Sequence, residues 1–150
     1  MFRGSSFHTI DPKGRIIVPA RFRDVIKASG ADSIMITRMD SCLFAYTQDE
    51  WGKLEQKILH LPEKSEAMRR FQRVFIGGAH DCKCDAQGRV LIPPFLKQYS
   101  GLEKEIVLVG VLDHGFLQRV YSTGFLVQMV PHHSVVHGDH LYFCQHRHVV

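Results

Sequence analysis

Features of a membrane, secreted or disulfide-linked protein are missing from this sequence. Its 150 residues contain no apolar run of about 18 residues, so no transmembrane helix is predicted. Residues 1–6 lack the apolar stretch of a signal peptide, and the four cysteines, at positions 42, 82, 84 and 144, lack the spacing of a disulfide framework. We therefore expect a cytoplasmic protein with reduced thiols and no membrane partner.

Catalytic and metal-binding signatures are missing as well. The sequence has no G-x-S-x-G nucleophile motif, no P-loop and no H-E-x-x-H zinc motif. Cys82 and Cys84 form a C-x-C pair without a second pair of ligands, and six histidines lie between His132 and His148 in a segment that offers no fixed geometry. We expect neither an enzyme, nor a metal site, nor a cofactor.

Basic residues are concentrated near the start of the chain. The formal net charge is +4. Residues 1–23 contain one acid, Asp11, against five basic side chains: Arg3, Lys13, Arg15, Arg21 and Arg23. This distribution permits an anionic partner without requiring one.

A long internal repeat is the most informative feature. Residues 11–23 (DPKGRIIVPARFR) return as residues 85–97 (DAQGRVLIPPFLK), 74 positions later, with Asp, Gly, Arg and Pro at the same places. The same offset aligns Ile34-Met35-Ile36 with Leu108-Val109-Gly110. A repeat of this length predicts one structural unit built twice.

Each copy predicts the same series of elements. A short strand precedes an Asp-x-x-Gly turn, because Asp favours the start of a turn and Gly accepts positive φ. The apolar runs 16–18 and 90–92 predict strands that are buried on both faces. A proline ends each of these strands, and a short helix and a third strand follow. The other predicted strands cover residues 6–10, 33–37 and 42–46, then 79–84 and 106–112.

Two helices are predicted between the copies. Trp51, Leu54, Ile58 and Leu61 have the spacing of one apolar helix face, which we interpret as core or interface, and Pro62 ends this helix. A second helix is indicated from Met68 to Phe75. Residues 115–150, rich in Gly, Val, aromatics and His, depart from the repeat and predict an irregular or disordered segment without a helix.

The polar turns admit two readings. Asp11 and Arg15, and likewise Asp85 and Arg89, are spaced to form an ion pair across a glycine turn, and such a pair braces the loop. In the first reading the pairs are purely structural. In the second, the turns present Lys13 and Arg15, or Gln87 and Arg89, to phosphates and base edges, because Arg offers a planar donor fork to guanine or phosphate. Bracing of the loop and contact with DNA are compatible, since an aspartate can orient an arginine that also reaches DNA.

The sequence resembles the MraZ family of bacterial transcriptional regulators, relatives of the AbrB-type swapped-hairpin proteins. The likeness runs from MFRGSS through D-x-x-G-R-x-x-x-P, Trp51, RFQRVFIGG at 70–78 and the second D-x-x-G-R-x-x-x-P to LVGVLD at 108–113. It covers about three quarters of the chain.

The resemblance implies an α+β fold, an internally duplicated AbrB/MraZ-like β-barrel with flanking helices. Its parts are a first repeat over 1–50, linking helices over 51–76, a second repeat over 77–114 and the atypical His-rich tail over 115–150. It also implies ring-like homo-oligomers that bind double-stranded DNA at direct repeats in the promoter of the division and cell-wall gene cluster, at the nucleoid.

The resemblance further assigns the DNA-contacting role to the turns, and so to Asp11, Arg15, Asp85 and Arg89. From their chemistry we add Lys13 and Gln87, and from its charge and position we add Arg3 as a phosphate contact. The expected function is therefore sequence-specific DNA binding and transcription regulation. The alternatives are a structural or protein-interaction module whose basic patch only balances charge, and a sugar-phosphate binder or enzyme, for which no acid–base partners are evident.

Overall fold

The computed structural model describes residues 4–60, 65–111 and 126–131, and it confirms a mixed α+β chain. The strands are β1 (Gly4–Thr9), β2 (Arg15–Ile17), β3 (Ser33–Met39), β4 (Cys42–Thr47), β5 (His80–Lys83), β6 (Arg89–Leu91), β7 (Glu105–Val111) and β8 (Leu126–Pro131). The helices are α1 (Ala20–Ala28), α2 (Gln48–Leu59), α3 (Glu66–Phe71), which continues into a π-helical turn (Gln72–Ile76), and α4 (Pro94–Tyr99). None of the helices in these ranges is long and apolar enough to span a bilayer.

The two copies exchange strands. The larger sheet has six strands in the order β1-β7-β8-β4-β3-β5, and the smaller sheet pairs β2 with β6. The first strand of each copy lies beside the third strand of the other copy: β1 pairs with β7 and β5 with β3, both antiparallel. If β1 is exchanged with β5, β7 with β3 and β8 with β4, the same strand order is obtained when read from the opposite edge. The larger sheet therefore has an internal pseudo-twofold axis.

The offset between the copies shortens after the helices. Ser33 lies opposite Lys83 and Glu105 lies opposite Thr9, so β3 and β7 correspond at 72 positions (33 and 105) instead of 74. The alignment of Ile34-Met35-Ile36 with Leu108-Val109-Gly110 is therefore wrong by two residues. The reason is that α4 has six residues where α1 has nine, while the connection to the third strand has five residues (100–104) instead of four (29–32), a net loss of two.

The β2–β6 pair, which we call the ribbon, lies on the pseudo-twofold axis. Ile16 faces Val90 at its centre, and both side chains are buried, at 2% and 0% exposure. Ile17 and Leu91, by contrast, are 57% and 52% exposed. The prediction of strands buried on both faces is therefore wrong, because the ribbon packs on the core through one face and no described residue covers the other.

Two clusters form the core. The first lies under the ribbon and the larger sheet, and residues of both copies contribute to it, including Ile16, Ile36, Val90 and Ile106. The second surrounds Trp51 and Phe75, whose rings stack at 5.8 Å between centroids. The interpretation of the Trp51 helix face as core is confirmed, since Trp51 is buried together with Leu54 and Ile58.

The linking helices begin with side-chain caps. Thr47 accepts a hydrogen bond from the Glu50 N–H at 3.3 Å, and Ser65 accepts one from the Met68 N–H at 3.2 Å. Each cap satisfies one of the N–H groups that a helix start leaves without an intrahelical partner. Among the described residues, these two helices and the π-helical turn form most of the connection between the copies.

Six residues of the segment 115–150 belong to the sheet. β8 pairs with β7 on one side and with β4 on the other, where Gln128 lies opposite Phe44. The prediction of an irregular segment does not apply to Leu126–Pro131, and for the rest of 115–150 it concerns residues outside the described ranges. Among the described strands the sheets are open, with β1 and β5 at the edges of the larger one.

Candidate nucleic-acid interface

The first turn, residues 11–14, is organised by the Asp11 carboxylate. Its Oδ1 accepts hydrogen bonds from the backbone N–H groups of Lys13 and Arg15, both at 2.9 Å, and its Oδ2 accepts one from Arg15 Nε at 2.7 Å. The Gly14 N–H also donates to the Asp11 carbonyl at 2.9 Å. Gly14 has φ +83°, a conformation that a residue with a Cβ rarely adopts. The turn is thus fixed by side chain and backbone together.

The second turn, residues 85–88, has the same arrangement. Asp85 Oδ1 accepts from the N–H groups of Gln87 at 3.0 Å and Arg89 at 2.9 Å, and its Oδ2 accepts from Arg89 Nε at 2.7 Å. Gly88 has φ +74°. The sequence repeat is therefore reproduced in the position of each hydrogen bond around the aspartate.

These bonds change the acidity of both aspartates. The backbone N–H of Arg15 is the largest cause that lowers the pKa of Asp11 below its ordinary value of 3.8, and the Arg15 side chain adds to it. The backbone N–H of Arg89 does the same for the pKa of Asp85. Both carboxylates are therefore ionised at neutral pH and hold each arginine through Nε, the donor nearest the side-chain stem.

The two arginines differ in the rest of the guanidinium group. Arg89 Nη2 donates to Gln87 Oε1 at 3.1 Å, so the second turn presents an arginine joined to a glutamine. In the described part of the chain, neither Nη atom of Arg15 has a hydrogen-bond partner. Lys13, which occupies the position of Gln87, is exposed and leaves the Arg15 donors open to a ligand.

Arg23, from helix α1 of the first copy, lies against the second turn. Its Nη1 donates to the Gln87 carbonyl at 3.3 Å, and its side chain crosses Gly88 so closely that a Cβ there would overlap Arg23 Cδ. At the first turn, a Cβ on Gly14 would meet only Leu91 Cδ1 at 3.6 Å and the Ile92 carbonyl. The helix side chain therefore covers one turn and not the other.

Each turn is followed directly by one strand of the ribbon. We define the outer face of the ribbon as the face that carries Arg15, Ile17, Arg89 and Leu91. Arg15 lies opposite Leu91 and Ile17 lies opposite Arg89, and directly opposed residues of an antiparallel pair share a face. Ile16 and Val90 point the other way, into the core. The outer face therefore carries its two arginines on one diagonal and its two apolar side chains on the other.

Comparison with known sequences identifies the family. A model of the family described as "MraZ protein, putative antitoxin-like" matches residues 1–74 and 75–117. This chain belongs to the MraZ family. The model matches it twice, in agreement with the duplication, and the two matched segments each contain one of the turns.

Relatives in the MraZ family each match about three quarters of the chain. A protein of Desulforapulum autotrophicum is 66% identical over 114 residues, which are 76% of this chain and 77% of the relative. One of Desulfosudis oleivorans is 56% identical over 114 residues, with the same shares, and one of Syntrophobacter fumaroxidans is 44% identical over 113 residues, 75% of each chain. All three carry the name Transcriptional regulator MraZ.

Most of the candidate residues of this MraZ-family chain lie together. The structure joins Asp11 to Arg15 and Asp85 to Arg89, and it places Lys13 and Gln87 exposed within the same turns. Arg3 lies outside the described residues. Sequence reasoning missed Arg23, Ile17 and Leu91: the apolar runs gave no sign of an exposed middle residue, and the contact of Arg23 with Gly88 joins residues of different copies.

The cysteine pair lies behind the second turn, on the core side. Cys82 is buried, and Cys84 is half-buried against the same cluster. Burial raises the pKa of the Cys82 thiol to about 11, and the neighbouring Asp81 adds to the shift. Burial also raises the pKa of Cys84. At neutral pH both side chains are therefore neutral thiols, which pack as small apolar groups.

Proposed function

We propose that this chain is a transcription regulator that binds double-stranded DNA by sequence, and that the outer face of the ribbon with its two turns is the DNA-binding surface. The observation that carries the proposal is the pair of aspartate-held arginines on one exposed face. The names of the relatives support a role in transcription regulation. We propose no catalytic activity and no cofactor.

The dimensions of the ribbon suit the major groove. That groove is about 12 Å wide and admits a two-stranded β-ribbon. Paired strands lie about 5 Å apart, and residues two apart along a strand are separated by about 7 Å, so Arg15 and Arg89 can reach neighbouring base pairs. We propose that both guanidinium groups contact guanine edges or phosphates, while Asp11 and Asp85 fix their direction.

The remaining contacts follow from charge and exposure. Lys13 is an exposed cation at the tip of the first turn and contacts phosphate in this proposal, and Arg3, near the same end of the chain, does the same. Gln87, bonded to Arg89, adds an amide that can pair with adenine. Phosphate contacts of this kind make affinity salt-dependent, whereas the arginines supply most of the base discrimination.

The wider setting rests on the family. We propose that ring-like homo-oligomers place several pairs of turns along direct repeats in the promoter of the division and cell-wall gene cluster, at the nucleoid in the cytoplasm. We also propose that the ribbon and the larger sheet form one barrel-like unit within each subunit. The contacts of β1 with β2 and of β5 with β6 support this arrangement.

The proposal is tested with a labelled duplex that the wild-type protein enriches from a random-sequence pool, called the selected duplex below. Anisotropy titration compares the wild type with Arg15→Ala and Arg89→Ala. Each variant is expected to lose about 1–3 kcal/mol of binding free energy to the selected duplex and little to a scrambled duplex. Arg70→Ala, which removes an exposed arginine from helix α3, is the matched control and should keep the sequence preference.

Folded variants that bind like the wild type would overturn the proposal. Binding that does not change with salt, or a pool from which no sequence is enriched, would favour a structural or protein-interaction module. Circular dichroism and oligomer mass establish that each variant is intact.

A further inference from the structure

The outer face of the ribbon holds two apolar side chains that the proposed contacts leave unused. Ile17 is 57% exposed and Leu91 is 52% exposed, although each lies in the middle of a DNA-facing surface and beside an arginine. A polar residue at either position would cost the fold little, because Ile16 and Val90 fill the core side. Isolated exposed apolar side chains are common on proteins, but here two occur at equivalent positions of the repeat.

Their surroundings limit what can cover them. Arg15 faces Leu91 across the ribbon, Arg89 faces Ile17, and Lys13 projects from the adjoining turn. Asp11 and Asp85 hold the two arginines through Nε, so a partner that lies on this face must bring hydrogen-bond acceptors or negative charge to their outer donors and to Lys13, and apolar surface to the space between them. The major groove of DNA does both, since phosphates border it and the 5-methyl groups of thymine project into it.

We propose that Ile17 and Leu91 are specificity-determining residues that contact thymine methyl groups between the bases or phosphates held by the two arginines. This inference rests on the proposed DNA-binding function and deepens it. Neither side chain has a hydrogen-bonding group, so neither can recognise the donors and acceptors of a base edge, and the methyl group of thymine is the apolar feature of the groove. The diagonal arrangement of the outer face predicts two such thymines, related by the same pseudo-twofold axis as the turns.

The experiment removes the methyl groups one at a time. Each thymine of the selected duplex is replaced by deoxyuridine, which pairs identically and lacks only the 5-methyl group, and binding is measured by anisotropy. For the wild type we expect about a fourfold loss of affinity at one or two positions, the factor for burial of one methyl-sized group. Other thymines should show no loss.

Matched variants then assign those positions to side chains. In Ile17→Ser, one of the sensitive thymines should become insensitive to deoxyuridine, and in Leu91→Ser the other should. Leu59→Ser, at a 74% exposed leucine of helix α2, is the control and should keep the wild-type pattern. This loss of sensitivity is a coupling between one side chain and one methyl group, which a general loss of stability does not produce.

Three outcomes would overturn the inference. The first is a wild type that shows no sensitive thymine, and the second is an equal deoxyuridine effect in the variants and the wild type. The third is a fall in oligomer mass in Ile17→Ser and Leu91→Ser with affinity falling in parallel, which would make the apolar pair a contact between copies. If Arg15→Ala and Arg89→Ala still weaken binding in those cases, the inference alone fails and the DNA-binding function stands.

Discussion

The first turn, at residues 11–14, and the second, at residues 85–88, have the same backbone and different neighbours. In both turns, the aspartate carboxylate accepts hydrogen bonds from two backbone N–H groups and from one arginine Nε. The second turn is additionally covered by Arg23 and has its arginine joined to Gln87, whereas the first turn presents Lys13 and an arginine without that partner. Duplication thus preserved the hydrogen-bonded frame of the turn and allowed its side chains to differ, so under the proposed DNA-binding function the two turns need not contact the same bases.

The largest expected effect tests the packing behind each turn. Gly14→Ala should lower the free energy of unfolding by about 1–2 kcal/mol, because alanine at positive φ is strained. Gly88→Ala should cost about 1 kcal/mol more, since the new methyl group also displaces Arg23. Urea unfolding measures both, and the excess at Gly88 should vanish in an Arg23→Ala background. Equal losses at the two glycines would show that Arg23 does not distinguish the turns.

A smaller effect is expected when the arginine that covers the second turn is removed. Arg23→Ala deletes one exposed hydrogen bond to the Gln87 carbonyl, so the second turn should lose about 0.5–1 kcal/mol of local stability. Amide exchange at Gly88 should accelerate while exchange at Gly14 stays unchanged. Lys97→Ala, at the equivalent position of the second copy, is the control and should alter neither amide. Acceleration at both glycines would point to global opening.

Exchanging Lys13 and Gln87 should change the salt dependence of DNA binding. Lys13→Gln should reduce the slope of log affinity against log salt by about 0.9, the value for one phosphate contact, and Gln87→Lys should increase it by a similar amount. Anisotropy titrations with the selected duplex at several salt concentrations measure the slope. The doubly exchanged variant should return to the wild-type slope. An unchanged slope in Lys13→Gln would remove Lys13 from the phosphate contacts.

The smallest effect concerns acid. Both aspartates have a pKa lowered below 3.8 in the folded chain, so their stabilising contribution is complete above that value and is lost as the pH falls through the folded pKa. Carboxyl-carbon NMR titration should give midpoints below 3.8 for Asp11 and Asp85 alike. In Arg15→Ala the pKa of Asp11 should rise towards its ordinary value, because the side-chain hydrogen bond and the charge of Arg15 are lost while the backbone N–H groups of residues 13 and 15 still donate to the carboxylate. A midpoint at or above the ordinary value would contradict the hydrogen bonding of that turn.

Local features of the fold were predictable from the sequence, and relations between the copies were not. The two turns follow from the preferences of Asp and Gly for turn positions. Strands β2 and β6 end near a proline because proline has no N–H to donate, and the helix around Trp51 follows from its apolar spacing. The two-residue change of offset at β7 depends on the length of α4, which the repeat alone does not encode. The strand β8 lies in a segment that departs from the repeat, so its Val-rich sequence was not interpreted as a strand, and its pairing with β4 and β7 determines its place.

The candidate site divides in the same way. The spacing of four residues between each aspartate and arginine predicted the ion pairs that the structure contains. Arg23 was counted only as part of a basic cluster, because its contact with Gly88 joins positions that are 65 residues apart in the chain (23 and 88). Ile17 and Leu91 are exposed because the ribbon packs on the core through its other face only. An apolar run of three residues does not reveal which of its faces will be covered.

The exchange of strands between the copies also governs the order in which the chain can fold. Strand β1 pairs with β7, so residues 4–9 have no sheet partner until residues 105–110 have been synthesised. The ribbon likewise requires residues 15–17 and 89–91 together, and pairings over such separations make folding slow relative to local structure. During synthesis β1 and β2 therefore wait for strands of the second copy, whereas β3 and β4 pair with each other and α2 packs against them within the first copy. Neither half contains all the sheet partners of its own strands, so the sheet pairing of each copy is completed only by the other.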